Sequence, residues 1–152
     1  MIKVNVEIES KLWNQKVKSK KKYFNTRLKK ISNFIPFFKK KNITFTILLT
    51  NSTKMQKLNK KFRNKNKSTD VLSFPNFLYN KLKSTKNKNI YIGDVAVSFS
   101  HISKSLTNNN FFFEFDKVWI HGLLHLLGYD HIKNKDYYRM KKVEKKLINK
   151  IY

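Results

Sequence analysis

The residues best suited to chemistry lie in one short segment, HGLLHLLGYDH at 121–131, which holds three of the chain's four histidines. On a helix, His121 and His125 would lie one turn apart and project from the same face. Gly128 could end that helix with a left-handed cap and let the chain turn back, so that His131 reaches the same point. Three neutral imidazoles at one point favour a divalent cation, and Zn²⁺ fits best. Three protein ligands leave a fourth position open, as in catalytic zinc sites.

The residue after the first histidine separates this segment from the zinc proteases. Their motif, HExxHxxGxxH, has a similar histidine spacing, but its glutamate acts as the general base. Gly122 has no side chain, so the segment predicts a metal site and argues against peptide hydrolysis. The chain has no cysteine, which limits any metal to nitrogen and oxygen ligands. His101 stands alone on another element and is predicted to be an ordinary structural histidine.

Hydrophobic periodicity predicts the elements that position these histidines. Four segments with alternating or continuous apolar residues are predicted strands: 2–9, 43–49, 70–75 and 90–98. Five segments with helical spacing are predicted helices: about 12–34, 52–62, 99–106, 112–127 and 135–150. Asn51 and Ser52 offer a cap for the second helix, Pro36 is expected to stop the first, and Gly93 marks a possible bulge. Residues 76–89, rich in Asn and Lys, are predicted to be a flexible surface loop.

This order of strands and helices favours an α+β fold with a small mixed β-sheet packed with about five helices. The zinc site would lie on a core helix, about 112–127, and on the loop after it. No internal repeat or linker divides the chain, so residues 1–152 are predicted to form a single domain.

The charge of the chain permits a nucleic-acid partner. The formal net charge is +25, and only three of the 34 basic residues are arginines. Lysines can bind RNA phosphates, but the abundance of Lys and Asn is equally typical of an AT-rich coding sequence. The N-terminus alternates apolar and polar residues, unlike a signal peptide, and no apolar run is long enough to cross a bilayer. We therefore expect a cytoplasmic protein with no membrane contact.

Several motifs resemble one known family. The segment WIHGLLHLLGYDH ending at His131 matches the pattern HGxLHLxGYDH of the bacterial YbeY family of rRNA-maturation metallo-endoribonucleases at every fixed position. LNKKFR at 58–63, TDVLSFP at 69–75 and IGDV at 92–95 are similar to further blocks of that family, and the last helix is compatible with it through Met140 and Glu144.

The resemblance implies a hydrolase that cleaves single-stranded RNA with one zinc ion held by His121, His125 and His131. It further implies a role in 16S rRNA 3′-end maturation and ribosome quality control, with the 16S rRNA precursor and the small ribosomal subunit as partners. The functionally important arginine of the family corresponds to Arg63, whose planar fork could hold the scissile phosphate. Lys65 is a nearby candidate for RNA binding.

Two points stay open on the sequence alone. The nucleophile could be water activated by the metal or an RNA 2′-hydroxyl, because the motif supplies no carboxylate base. A rival hypothesis is a non-catalytic ribosome-assembly factor whose zinc is structural.

The chain also departs from the family pattern at Asn66 and Ser68, so the loop near Arg63 could differ in rigidity. Asp130 is predicted to be a turn residue.

Overall fold

A mixed four-stranded sheet lies at the centre of the protein. The computed structural model describes residues 1–35, 37, 40–104 and 110–152. The strands are β1 (Ile2–Ile8), β2 (Asn42–Thr50), β3 (Val71–Pro75) and β4 (Asn89–Ser98). Their order in the sheet is β1-β2-β4-β3; β1, β2 and β4 run parallel, and β3 is antiparallel to β4. All four predicted strands are confirmed, and with them the α+β class.

Seven α-helices surround the sheet in the described part of the chain. They are α1 (Leu12–Lys16), α2 (Lys20–Ile31), α3 (Ser52–Arg63), α4 (Tyr79–Ser84), α5 (Phe99–Lys104), α6 (Phe111–Leu126) and α7 (Asn134–Ile151). A short 3₁₀ turn, Ser32–Phe34, follows α2. The predicted cap of α3 is confirmed, because the Asn51 side chain accepts a hydrogen bond from the backbone N–H of Lys54 at 3.0 Å.

The first predicted helix, 12–34, is wrong as a single element. Helix α1 ends before Val17, whose φ of −114° and ψ of 86° are not helical, and a new helix begins at Lys20. The break lets Trp13 reach into the core, where its indole N–H donates to the carbonyl of Thr50 at 2.9 Å. Tertiary packing thus overrides a continuous helical pattern. Pro36, the predicted stop, lies outside the described residues.

The predicted loop 76–89 is also wrong in part, because it contains α4. Leu82 of this helix is 2% exposed and belongs to the main core, so one buried side chain fixes a turn of helix in a polar segment. The predicted helix 99–106 is confirmed as far as Lys104, and residues 105 and 106 lie outside the described part of the chain. The last two predicted helices are confirmed within two residues at each end.

The two faces of the sheet are covered unequally. On one face, α2 and α6 bury a large core in which Phe24, Phe45 and Trp119 are fully enclosed. On the other face, α3 covers a small cluster of Met55, Leu72 and Ala96. The helix with the histidines is therefore packed directly on the sheet, with its position set by the core. No helix among the described residues is long and apolar enough to cross a membrane.

Gly93 produces the predicted bulge in β4. Its φ is +128°, and a Cβ there would lie 2.2 Å from the carbonyl oxygen of Phe74. The register of β4 against β2 shifts between Thr44 and Thr46 at this point. Only glycine fits both the backbone angle and the close approach.

A buried carboxylate fixes the position of α6. Asp116 is fully buried and accepts hydrogen bonds from the Tyr23 hydroxyl at 2.7 Å and the Trp119 indole at 2.7 Å. The Arg27 guanidinium donates to both of its oxygens, at 2.8 and 2.7 Å, and pairs with its charge. The Tyr152 hydroxyl adds a hydrogen bond at 3.0 Å. Asp116 therefore ties α2, α6 and the last residue of the chain together.

Candidate metal centre and cationic cleft

The three clustered histidines converge in the structure. His121 and His125 lie one turn apart on α6, and their Nε2 atoms are 3.0 Å apart. His131, on the loop after the helix, places its ring centroid 5.5 Å from that of His121 and 4.9 Å from that of His125. One nitrogen from each ring lies within 4.8 Å of the others. The sequence predicted this convergence.

Gly128 lets the chain turn back toward the helix as predicted. Its φ is +82°, in the region that glycine adopts without strain, and it follows the end of α6 at Leu126. The backbone N–H of Tyr129 then bonds to the carbonyl of Leu124 at 3.0 Å, which closes the cap. The Asp130 side chain accepts from the backbone N–H of His131 at 2.7 Å, so Asp130 acts as a turn residue.

The neighbours of His121 fix its tautomer. Its Nδ1 lies 3.1 Å from Oε1 of Glu144 on α7, and a carboxylate can only accept, so Nδ1 carries the proton. The lone pair of Nε2 then faces the other histidines. Burial opposes the charge of Glu144, but the hydrogen bond from His121 and the positive charge of Lys141 hold the pKa of Glu144 below its usual value. The sequence showed Glu144 only as compatible with a family, without this role.

His125 is held neutral by its surroundings. Burial, reinforced by the adjacent His121 and His131, lowers the pKa of His125 to about 4. A hydrogen bond to the backbone of Tyr129 raises the pKa of His125. Since an acceptor favours the protonated imidazole, the histidine N–H donates to the Tyr129 carbonyl. A neutral imidazole oriented by a carbonyl is the state in which histidine binds a metal.

The donor set fits a tetrahedral metal ion. Metal–nitrogen bonds near 2.05 Å at a tetrahedral angle put two ligand nitrogens about 3.3 Å apart. The His121–His125 separation of 3.0 Å is close to this value. His131 is exposed on a loop, so its ring can move closer to the other two until all three nitrogens reach this separation. The three histidines could hold one divalent ion, with a further position open on the exposed side.

Gly122 faces away from this site, against the sheet. A Cβ at this position would lie 2.5 Å from Cγ1 of Val95, 3.1 Å from Cγ2 of Val71 and 3.2 Å from Oγ of Ser73. The Ser73 hydroxyl donates to the Gly122 carbonyl at 3.1 Å. The glycine is therefore required by the close packing of α6 on β3 and β4, a reason that the sequence did not reveal.

A cleft of about 470 Å³ runs along the same face of α6. Glu114 and Val118 line it, and the spacing 114, 118, 121, 125 places these two residues in one stripe with the first two histidines. The cleft thus lies on the same face of α6 as the first two histidines, nearer the start of the helix. Its other walls come from α3, the loop after α3 and α5, with the lining residues Asn59, Arg63, Lys65, Lys67, Ser68, Thr69, Asp70, His101 and Ile102.

Both predicted RNA-binding residues line this cleft. Arg63 is the last residue of α3, and Asn64 after it adopts a left-handed conformation with φ of 55°. Asn59 is buried, and its side-chain N–H donates to the backbone carbonyl of Lys67 at 2.7 Å. The backbone carbonyl of Asn59 accepts from the backbone N–H of Lys65 at 3.3 Å. Asn59 therefore holds in place the loop that carries Lys65 and Lys67, a role that could not be recognised from the sequence.

His101 also lines the cleft, as Glu114 does. Its Nδ1 lies 3.1 Å from the hydroxyl of Ser98. The sequence predicted an ordinary structural histidine, because nothing in the spacing links α5 to the histidine segment. The cleft therefore contains three titratable side chains besides its cations: Asp70, His101 and Glu114.

The fold and the site together define an α+β protein with a candidate metal centre on the same helix face that lines a cationic cleft. Comparison with known proteins places the chain further. Residues 6–152 match the family model described as endoribonuclease YbeY, and the chain therefore belongs to this family. The resemblance noted in the motifs is confirmed over almost the whole sequence.

Several curated relatives carry that same description. The chain is 47% identical over 148 residues to "Endoribonuclease YbeY" of Pelagibacter ubique, an alignment that covers 95% of this chain and 92% of the relative. It is 35% identical over 153 residues to the protein of the same name in Ehrlichia canis, covering 99% and 93%. The solution structure of a Thermotoga maritima protein matches with a TM-score of 0.56 and 25% identity, covering 99% of this chain and 89% of the other.

Proposed function

We propose that this protein is a zinc-dependent endoribonuclease specific for single-stranded RNA. Its substrate would be the 3′ end of the 16S rRNA precursor on the small ribosomal subunit, in maturation and quality control, and it would work in the cytoplasm with the ribosome. Family membership supports the activity, because the relatives are named endoribonuclease. The observation that carries the proposal is the convergence of three histidine nitrogens within 4.8 Å, on the helix that lines the cationic cleft.

Three histidines would hold the metal in this mechanism. His121 would offer Nε2, because its Nδ1 proton is bound by Glu144 at 3.1 Å. His125 would bind in its neutral form, and His131 would complete the set from the loop. When bound, zinc would supply a Lewis acid that activates the nucleophile and offsets charge on the phosphate.

The cleft would hold the RNA backbone. Arg63 can present two parallel N–H donors to a phosphate and stabilise the charge that develops during cleavage. Lys65 would add attraction to a neighbouring phosphate. The loop that carries Lys65 is pinned by Asn59, so these cations are positioned before RNA binds.

Cleavage of a short RNA with the 3′ end of the 16S rRNA precursor tests the activity. Zinc-loaded wild type should cut it, and His125→Ala, purified identically, should not. Equal cutting by both proteins would reveal a contaminating nuclease, and no cutting by either would contradict the proposal. Either of these results, combined with retained RNA binding, would favour the assembly factor with a structural zinc.

Variants in the cleft separate the roles of its cations. Arg63→Lys keeps the charge but loses the fork, and we expect cleavage to fall by about 100-fold or more. Lys65→Ala should weaken RNA binding and lower its salt dependence by about one phosphate contact. Lys22→Ala on α2, outside the cleft, is the matched control and should change neither.

A 2′,3′-cyclic phosphate on the product would identify the RNA 2′-hydroxyl as the nucleophile, whereas a simple phosphate or hydroxyl end would identify water.

A further inference from the structure

A ridge of side chains on α7 leads away from the histidines. Glu144, Lys141 and Tyr137 are spaced by three and four residues, so they share one face of the helix. Seven residues of helix span about 10 Å. The three residues therefore form a short, straight track that ends at the metal centre.

Direct contacts connect this track to the metal centre. Glu144 lies 3.1 Å from Nδ1 of His121, and Lys141 places its ammonium 3.5 Å from the other oxygen of Glu144. The same ammonium is 5.9 Å from the ring centroid of Tyr137. Each step of the track is thus a contact, and its position relative to the histidines is fixed by Glu144.

The outer part of the track remains exposed to a ligand. The Lys141 side chain is 58% exposed, and Tyr137 is 42% exposed. Burial of Met140 and Leu147 on another side of α7 holds the helix in place while this edge stays outside the core. An aromatic ring and an ammonium at this spacing have the two groups that a nucleotide needs, a surface for the base and a cation for the phosphate.

The charge of α7 favours an anionic occupant. Two of its residues are acidic, Asp136 and Glu144. Seven are basic: Lys135, Arg139, Lys141, Lys142, Lys145, Lys146 and Lys150. The helix would attract a polyanion along its exposed edge.

We propose that Tyr137 and Lys141 form a nucleotide-binding subsite that holds an unpaired base and its phosphate beside the metal centre. This inference rests on the proposed ribonuclease function and deepens it, because it supplies a reason for selecting single strands. A base within a duplex is stacked on both faces and cannot lie on a protein ring, whereas an unpaired base can. RNA bound at the metal centre would then contact the α7 edge as well as the Arg63 cleft.

Kinetics of RNA cleavage by the zinc-loaded protein test this subsite. Tyr137→Leu should raise KM by about 5- to 150-fold, the range expected for loss of one base–aromatic stack, with a smaller effect on kcat. Tyr137→Phe keeps the ring and should behave like wild type. Tyr91→Leu, which removes an exposed tyrosine on the far face of the sheet, is the control and should leave KM unchanged.

Binding of two oligomers, a single-stranded RNA and its abasic counterpart, separates the contribution of base stacking from that of phosphate charge. An abasic ribose-phosphate oligomer of the same length lacks the stacking partner, so wild type and Tyr137→Leu should bind it equally. Lys141→Gln should weaken both oligomers and lower the salt dependence by about one contact. The zinc content and urea midpoint of each variant, measured alongside, report any damage to the metal centre or the fold.

The outcomes distinguish this subsite from the function on which it rests. If wild type cuts RNA and Tyr137→Leu has the same KM, the stacking subsite is refuted and the ribonuclease function remains. The same conclusion follows if Tyr137→Leu binds the abasic oligomer more weakly than wild type does. If wild type neither binds nor cuts RNA, the proposed function fails and the subsite fails with it.

Discussion

Gly122→Ala tests whether the histidine helix depends on its close contact with the sheet. The added methyl carbon would lie 2.5 Å from Cγ1 of Val95, whereas carbon atoms in contact are normally about 3.5–4.0 Å apart. Two further atoms, on Val71 and Ser73, lie at 3.1 and 3.2 Å. Because these neighbours belong to two strands, no single side-chain rotation can make room.

The expected change in stability is the balance of two effects. Alanine in place of glycine inside a helix stabilises it by about 1 kcal/mol. Overpacking a core by one methyl group costs about 1–3 kcal/mol, and three simultaneous contacts favour the upper part of that range. We therefore expect Gly122→Ala to lower the free energy of unfolding by about 1–2 kcal/mol.

Urea unfolding of four proteins measures this balance: wild type, Gly122→Ala, Val95→Ala and the double variant. Since Val95→Ala removes the methyl group that would be struck, the two changes should compensate each other by about 1 kcal/mol or more. Stabilisation by Gly122→Ala alone, or strictly additive effects in the double variant, would refute the argument from packing.

Two further predictions follow from the network around α6. Glu144→Gln should weaken zinc binding by about 10- to 100-fold in competition with a chelator, because the charged acceptor that orients His121 becomes a neutral amide; unchanged affinity would deny the Glu144 carboxylate this role. Burial and the adjacent Asp116 raise the pKa of Tyr152 from 10.0 to about 12. Stability from this hydroxyl is therefore complete below about pH 10 and is lost as the pH rises toward 12. Urea midpoints should fall further in wild type than in Tyr152→Phe over that interval, and equal falls would contradict the prediction.

The convergence of the histidines could be predicted because it depends on short-range geometry. A helical turn separates His121 from His125, and a left-handed glycine at 128 returns the chain within a few residues. Each step is set by local backbone rules that a sequence displays directly. Their role as zinc ligands stays a prediction that the chelator experiment can test.

The composition of the cleft could not be predicted in the same way. Arg63 was found through a motif and Lys65 as a lysine near it, but His101 and Glu114 join them only when α3, α5 and α6 meet in space. No periodicity or spacing connects residues so far apart in the chain. The same limit explains the broken first helix, because the burial of Trp13 against Thr50 depends on a strand 37 residues away.

The packing of α6 also narrows the chemistry available to the site. One stripe of the helix carries His121 and His125, while the position between them that would hold a protease glutamate is pressed against β3 and β4. A carboxylate there would be buried among valine side chains, away from any bound substrate. Peptidase chemistry is thus opposed by the fold as well as by the residue type. If cleavage of RNA needs a proton acceptor from the protein, the cleft offers Asp70, His101 and Glu114 among its lining residues. Glu144 is a further candidate, because it lies 3.1 Å from Nδ1 of His121 at the metal centre.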